Sequence, residues 1–177
     1  MRRITIRMGA RRLGLMAVII IIFIFLDQYT KHLVAQNFYL GEVRPIIDGF
    51  FNLTHVRNTG AAFGFGAGSS DWFRITFFLA LPVIACVWLL WAIWKTAQTN
   101  LLMCVAYTLV FAGAVGNLID RFRLRYVVDF FDFYHKNYHF AAFNIADSCI
   151  TIAAFLIIFD YFKEMKKEKI ERAESRE

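Results

Sequence analysis

A chain of 177 residues that is 59% hydrophobic, with 31 aromatic side chains and only 19% charged residues, is too apolar for a soluble domain, of which about a quarter would be charged. The apolar excess argues against disorder and a cytosolic enzyme, and three cysteines are too few for a disulfide scaffold. A net charge of +6 would point to nucleic acid only if the basic residues formed a stripe on a polar surface, and they do not.

Four stretches are apolar enough to cross a bilayer, whose core takes roughly 20 helical residues. They are 13–35, 72–94, 101–119 and 143–162, and of the 34 charges they hold only Asp27, Lys31, Arg74, Asp147 and Asp160. Such segregation is what lipid demands, because an unpaired charge in hydrocarbon costs several kcal/mol. The first stretch follows five arginines, as a signal peptide would, but it runs into Asp27-Gln28-Tyr29-Thr30-Lys31 without a small-residue cleavage site. It is therefore expected to remain as an anchor. Asp27 and Lys31 lie four apart on one helix face and can neutralise each other, either as a structural pair or as part of a binding site.

Residues 36–71 form a longer connection. Within it Phe51-Asn52-Leu53-Thr54-His55-Val56-Arg57 reads as strand. The segment Asn58-Thr59-Gly60-Ala61-Ala62-Phe63-Gly64-Phe65-Gly66 reads as a loop whose glycines permit tight turns and whose Asn58 amide can donate and accept. No Lys-Ser or Lys-Thr follows, so its G-x-G is weak as a phosphate loop. The six residues 95–100 suffice only for a turn between antiparallel helices. The third stretch ends in Gly116-Asn117-Leu118-Ile119-Asp120-Arg121. Beyond it Arg121-Phe122-Arg123-Leu124-Arg125-Tyr126 alternates charged and apolar residues, which predicts a half-buried strand or extended segment at the membrane interface. With the first strand it would make a small sheet there.

Asp129 stands inside Val127-Val128-Asp129-Phe130-Phe131, where ionisation is costly. Phe143-Asn144-Ile145-Ala146-Asp147-Ser148 opens the fourth stretch; Asn144 and Asp147 fit a helix cap and a favourable charge near a helix start equally well as they fit a site. The tail 163–177 alternates Lys and Glu at helical spacing and should continue the last helix. Cys86, Cys104 and Cys149 fall in three different spans and read as apolar packing. The chain shows no repeat or linker and reads as one integral membrane domain, 1–177. Twelve Lys and Arg flank the ends that carry the termini and the 95–100 turn, against eight on the other side, which puts both termini in the cytoplasm.

The combination of Asp129 and Asp147 is the strongest chemical signal. Two carboxyls in apolar surroundings, brought together by the intervening fold, share a proton and titrate as a pair. One can then activate water while the other polarises a carbonyl, as in aspartic proteases. Other designs fit less well. His135 and His139 are four apart but have Lys136 where a zinc protease needs Glu, and a Ser148/Lys31 dyad competes with the Asp27–Lys31 pair. A proton-relaying transporter built on Asp27, Lys31, Asp129 and Asp147 and a purely structural scaffold are the remaining readings.

The blocks 27–31, 58–63, 116–121, 127–130 and 143–148, in this order and spacing, resemble the bacterial lipoprotein signal peptidases (signal peptidase II), integral membrane aspartic proteases. The resemblance covers nearly the whole chain. It implies a mainly α membrane protein of four transmembrane helices with an extracytoplasmic β-cradle and a mobile flap, in the bacterial inner membrane. It also implies removal of the signal peptide just before a diacylglyceryl-modified cysteine. It places the catalytic dyad on Asp129 and Asp147, substrate-binding or site-supporting roles on Asn58, Asn117, Arg121 and Asn144, and structural support on Asp27, Lys31, Gly60 and Asp120. The partners expected are the lipid-modified prolipoprotein and membrane lipid, with no nucleic acid, no metal and no cofactor, and the protein is expected to be a monomer. One departure is visible: many members have Pro shortly before the Phe-Asn of the last block, where this chain has Phe140-Ala141-Ala142.

Overall fold

A computed structural model describes residues 2–60, 66 and 68–174, with side chains from residue 9 and without that of residue 173. Four helices span the molecule: α1 (Arg2–Asn37), α2 (Asp71–Thr96), α3 (Leu101–Leu124) and α4 (Ile145–Glu174). Each contains a segment long and apolar enough to cross a membrane. Their outward faces are apolar, with Ile21, Val87 and Phe155 each about two-thirds exposed, as lipid contact requires.

Local chemistry sets the helix ends. Ser70 caps α2 by accepting from the Phe73 N–H, and Asn100 caps α3 by accepting from the Met103 N–H at 3.1 Å. Within α2, Thr76–Ala80 widens to a π-turn just before Pro82, which has no N–H to give and whose ring would crowd the carbonyl four residues back. Helix α3 ends at Arg125, which turns left-handed at φ 70° and returns its N–H to the Arg121 carbonyl.

The third helix is the axis of the bundle, packing on α1, α2 and α4. One apolar cluster joins Met16, Ile93, Ala97 and Cys104, a second joins Ala106, Leu109, Cys149 and Ala153, and a third seats Val34 under Val128 and Phe130 of the sheet. All three cysteines are buried and free.

The sheet is antiparallel, in the order β1 (Val43–Ile47), β2 (Phe51–Asn58), β3 (Val127–His135) and β4 (Tyr138–His139). The β1–β2 turn uses Gly49 at φ 76°, a conformation that glycine adopts without a steric penalty. Strand β2 pairs with β3 from Phe51↔Phe133 to Asn58↔Val127, with a bulge between Leu53 and Val56. This register sets Asn58 at the same end of the sheet as Asp129.

Two expectations need correction. Arg121–Leu124 is not strand but the last turn of α3, where Arg121 and Arg123 favour the negative helix end; the strand begins at Val127. Phe143 does not open the fourth helix. It bridges to Phe131 of β3, exchanging both backbone hydrogen bonds, and α4 starts at Ile145. The tail is helical through Glu174, with Lys167–Glu171 and Glu168–Arg172 pairs at helical spacing.

Candidate active site

The carboxylates Asp129 and Asp147 come from different elements, β3 and the first turn of α4, and the Phe131↔Phe143 bridge draws those elements together. Both line one cavity of about 590 Å³, together with Asn58, Asn117 and Arg121. Its other wall is apolar: Phe140 to Phe143, and Ile150 and Ile152 on the half-exposed face of α4. A polar floor thus opens beside a surface that faces lipid.

Asn144 joins the pair. Fully buried, it donates through Nδ2 to Asp129 Oδ1 at 2.7 Å, while its Oδ1 accepts from the Asp147 N–H at 3.0 Å. Its own N–H donates back to Asp147 Oδ2 at 3.3 Å, completing a reciprocal cap of α4. The bonds that cap α4 and the bond that reaches Asp129 therefore run through one side chain. Asn58 Nδ2 donates to Asp129 Oδ2 at 3.0 Å and its Oδ1 accepts from the Gly60 N–H at 2.9 Å. Asn117 Nδ2 donates to Asp147 Oδ1 at 2.8 Å. Arg121 Nη2 donates to the Gly60 carbonyl at 3.0 Å, with its guanidinium 5.5 Å above the Phe78 ring.

Asp129 is buried, and burial first, then the nearby Asp147 charge, push its carboxyl up to about 7, against the lowering pull of the Asn58 and Asn144 amides. Asp147 is only half-buried and accepts from two N–H donors, the Asn117 amide and the Asn144 backbone.

Beneath the pair lies a buried ionic knot. Lys31 Nζ contacts Asp27 Oδ2 at 2.9 Å and Asp120 Oδ2 at 3.2 Å, and donates to Asn117 Oδ1 at 3.0 Å. Asp27 Oδ1 accepts from the Ala146 N–H, and Asp120 Oδ2 from the Val128 N–H. One network therefore ties α1, α3, α4 and β3 and reaches Asp147 through the Asn117 amide.

Every candidate site residue of the sequence reading joins this assembly, and the sequence reading overlooked Gln28. Its Nε2 donates to Asp27, Asp120 and the Gly116 carbonyl. Its position as an amide at membrane depth beside Asp27 was the available signal. The apolar wall 140–143 was noticed only for its missing proline. The alternatives lose their geometry: Lys31 is occupied in the knot, Ser148 Oγ donates to the Asn144 carbonyl, and His139 Nδ1 lies 2.9 Å from Asp132. The loop read over 58–66 falls largely on 61–65, outside the described residues.

Comparison with known proteins agrees in one direction. The family profile described as Signal peptidase (SPase) II matches residues 19–163. Proteins named lipoprotein signal peptidase from Desulforapulum autotrophicum and Syntrophus aciditrophicus are 49% and 46% identical, over 87% and 82% of this chain and 94% and 90% of their own. A solved bacterial membrane enzyme, determined by the in meso method at 2.3 Å, superposes with a TM-score of 0.78 at 40% identity, covering 87% of this chain and 91% of its own. A second, at 1.9 Å, gives 0.74 at 37% identity, covering 85% and 94%.

Proposed function

The chain belongs to the signal peptidase II family, whose members are peptidases of lipoprotein precursors, and we propose that it is an aspartic endopeptidase of this kind working at the membrane surface. Its substrate is a diacylglyceryl-modified prolipoprotein, cut just before the modified cysteine. The chain acts as one integral membrane unit, monomeric, in the bacterial inner membrane, with its termini cytoplasmic and the sheet outside.

The observation that carries the reading is the Asn144 bridge, which holds Asp129 and Asp147 on one wall of a single cavity. Below about pH 7 the proton of the pair resides on Asp129, the more deeply buried member. Asp147 is the base: it takes a proton from water as the oxygen attacks the scissile carbonyl, while the Asp129 hydroxyl donates to the carbonyl oxygen and stabilises the developing charge. Collapse of the tetrahedral intermediate passes a proton to the leaving amine of the modified cysteine, and the signal peptide leaves as a carboxylate.

Substrate enters laterally. The signal helix and two acyl chains are as apolar as the lipid they leave, and the wall of Ile150, Ile152 and Phe143 receives them. Asn58 and Arg121, both in the cavity lining, bind the extended peptide around the scissile bond.

The test is mass analysis of the products formed by purified protein from a lipidated precursor. The reading predicts one cut, giving a signal peptide with a free carboxyl terminus and a product that begins at the modified cysteine. A cut elsewhere, or a covalent peptidyl–enzyme adduct, would overturn it.

A further inference from the structure

Beside the carboxylate site, where α2 begins and α3 ends, lies a second cavity of about 340 Å³. Because α2 and α3 are antiparallel, this is the sheet end of the bundle. Three guanidiniums, those of Arg74, Arg121 and Arg125, line it against a single carboxylate, Asp71. Arg121 also faces the catalytic carboxylates; Arg74 and Arg125 do not have that compensation. Arg74 Nη2 donates to the Arg125 main-chain carbonyl at 3.1 Å, so the two cationic residues are held together. The Asp71 carboxylate stands 3.8 Å from Arg74 Nη1 and is 94% exposed, too solvated to neutralise the cluster. Arg74 Nε is buried and has no acceptor among the described residues. The segment 61–67 that follows Gly60 contains only Ala, Phe and Gly, so it brings no acid to the cluster either.

A buried guanidinium donor without an acceptor, beside a second cation, calls for an anion with several acceptor oxygens. The planar fork of Arg fits phosphate. The rest of the cavity fixes the source of that phosphate. Ile75, the residue after Arg74, and Leu79, one turn further along the helix, supply an apolar wall, and Ile75 is half-exposed to the lipid side. Trp72, 73% exposed on the same first turn, marks the level where indole rings collect at the boundary between headgroups and chains.

We propose that this cavity binds the phosphodiester of an anionic membrane phospholipid, with Arg74 and Arg125 on the phosphate and an acyl chain along Ile75 and Leu79. The lipid neutralises the cluster and fastens the ends of α2 and α3 next to the peptidase site. This assignment is independent of which side chains cleave the substrate.

The test uses the full chain, delipidated in a non-ionic detergent and titrated with phosphatidylglycerol, with bound lipid counted by native mass spectrometry. One phosphatidylglycerol should bind more tightly than phosphatidylcholine, and the Arg74→Gln/Arg125→Gln double variant should weaken it about tenfold. Arg74→Lys/Arg125→Lys, which keeps both charges but loses the planar fork, should recover part of the binding, and millimolar inorganic phosphate should leave the lipid in place. The proposal fails if the glutamine pair binds phosphatidylglycerol as wild type does, if phosphatidylcholine binds equally well, or if free phosphate displaces the lipid. It fails too if the lysine pair is as weak as the glutamine pair, because the loss would then report altered structure rather than charge.

Discussion

Asn144 binds both carboxylates and caps a helix, so its loss should register in two measurements. Asn144→Ala should lower thermal stability by about 1 kcal/mol through the lost cap. It should also reduce kcat by one to two orders of magnitude, since the geometry of the pair is released while the apolar wall proposed to receive substrate is untouched. Asp129 carries a pH signature. Its carboxyl, raised to about 7, stays protonated in the folded protein over a range where the unfolded chain has already ionised. Below about pH 4 both states hold the proton; from there to pH 7 the folded state loses relative stability, and above pH 7 the deficit is constant. Asp129→Asn should therefore be more stable than wild type at pH 8, by about 4 kcal/mol at most, and unfold at about the same temperature as wild type at pH 4. Wild-type kcat/KM should fall as pH rises through 7, where the shared proton leaves. At this scale the sequence was highly informative, because each polar residue at membrane depth was conspicuous against Val, Phe and Ile. Gln28 escaped notice because an amide beside an acid and a lysine looks like part of their pair, and only the fold reveals that it reaches α3.

Packing between α3 and its neighbours leaves no room for a methyl group at two glycines. A Cβ at Gly116 would stand 2.6 Å from Asp27 Oδ2, and one at Gly113 would strike the Ala146 backbone carbonyl. Neither neighbour can yield cheaply, since one belongs to the ionic knot and the other to the helix that carries Asp147. Gly113→Ala and Gly116→Ala should each lower the unfolding temperature and the cleavage rate, whereas Gly14→Ala, with open space around it, should change neither. Lys31→Met removes the one cation from a buried cluster that includes Asp27 and Asp120. Breaking such a cluster by removing one partner costs about 3–5 kcal/mol, so thermal unfolding should show a large loss. The helices were legible because lipid forces long apolar runs. The strand that carries Asp129 was expected in the right connection but begun too early, since alternation over 121–124 is equally compatible with a last helical turn closed by a left-handed residue at Arg125. Strand β1, with all five residues exposed, left no burial pattern to read.

The whole molecule divides its charge unevenly. The proposed cytoplasmic side holds 12 basic and 6 acidic residues and the sheet side 8 of each, so the entire +6 lies with the termini. That imbalance orients the chain. In intact cells a membrane-impermeant maleimide should label Asp48→Cys, in the β1–β2 turn, and spare Glu174→Cys; the reverse pattern would invert the topology. In the proposed orientation the paired carboxylates lie at the surface where a translocated precursor would present its cleavage site. The central claim is that Asp129 and Asp147 together cleave a lipidated precursor. It is tested most directly by incubating purified wild type, Asp129→Asn and Asp147→Asn with the diacylglyceryl-modified precursor and with its unlipidated counterpart. The account predicts cleavage of the lipidated form by wild type alone, with each variant folded and at least a hundredfold slower. Near-normal turnover by either variant would contradict it.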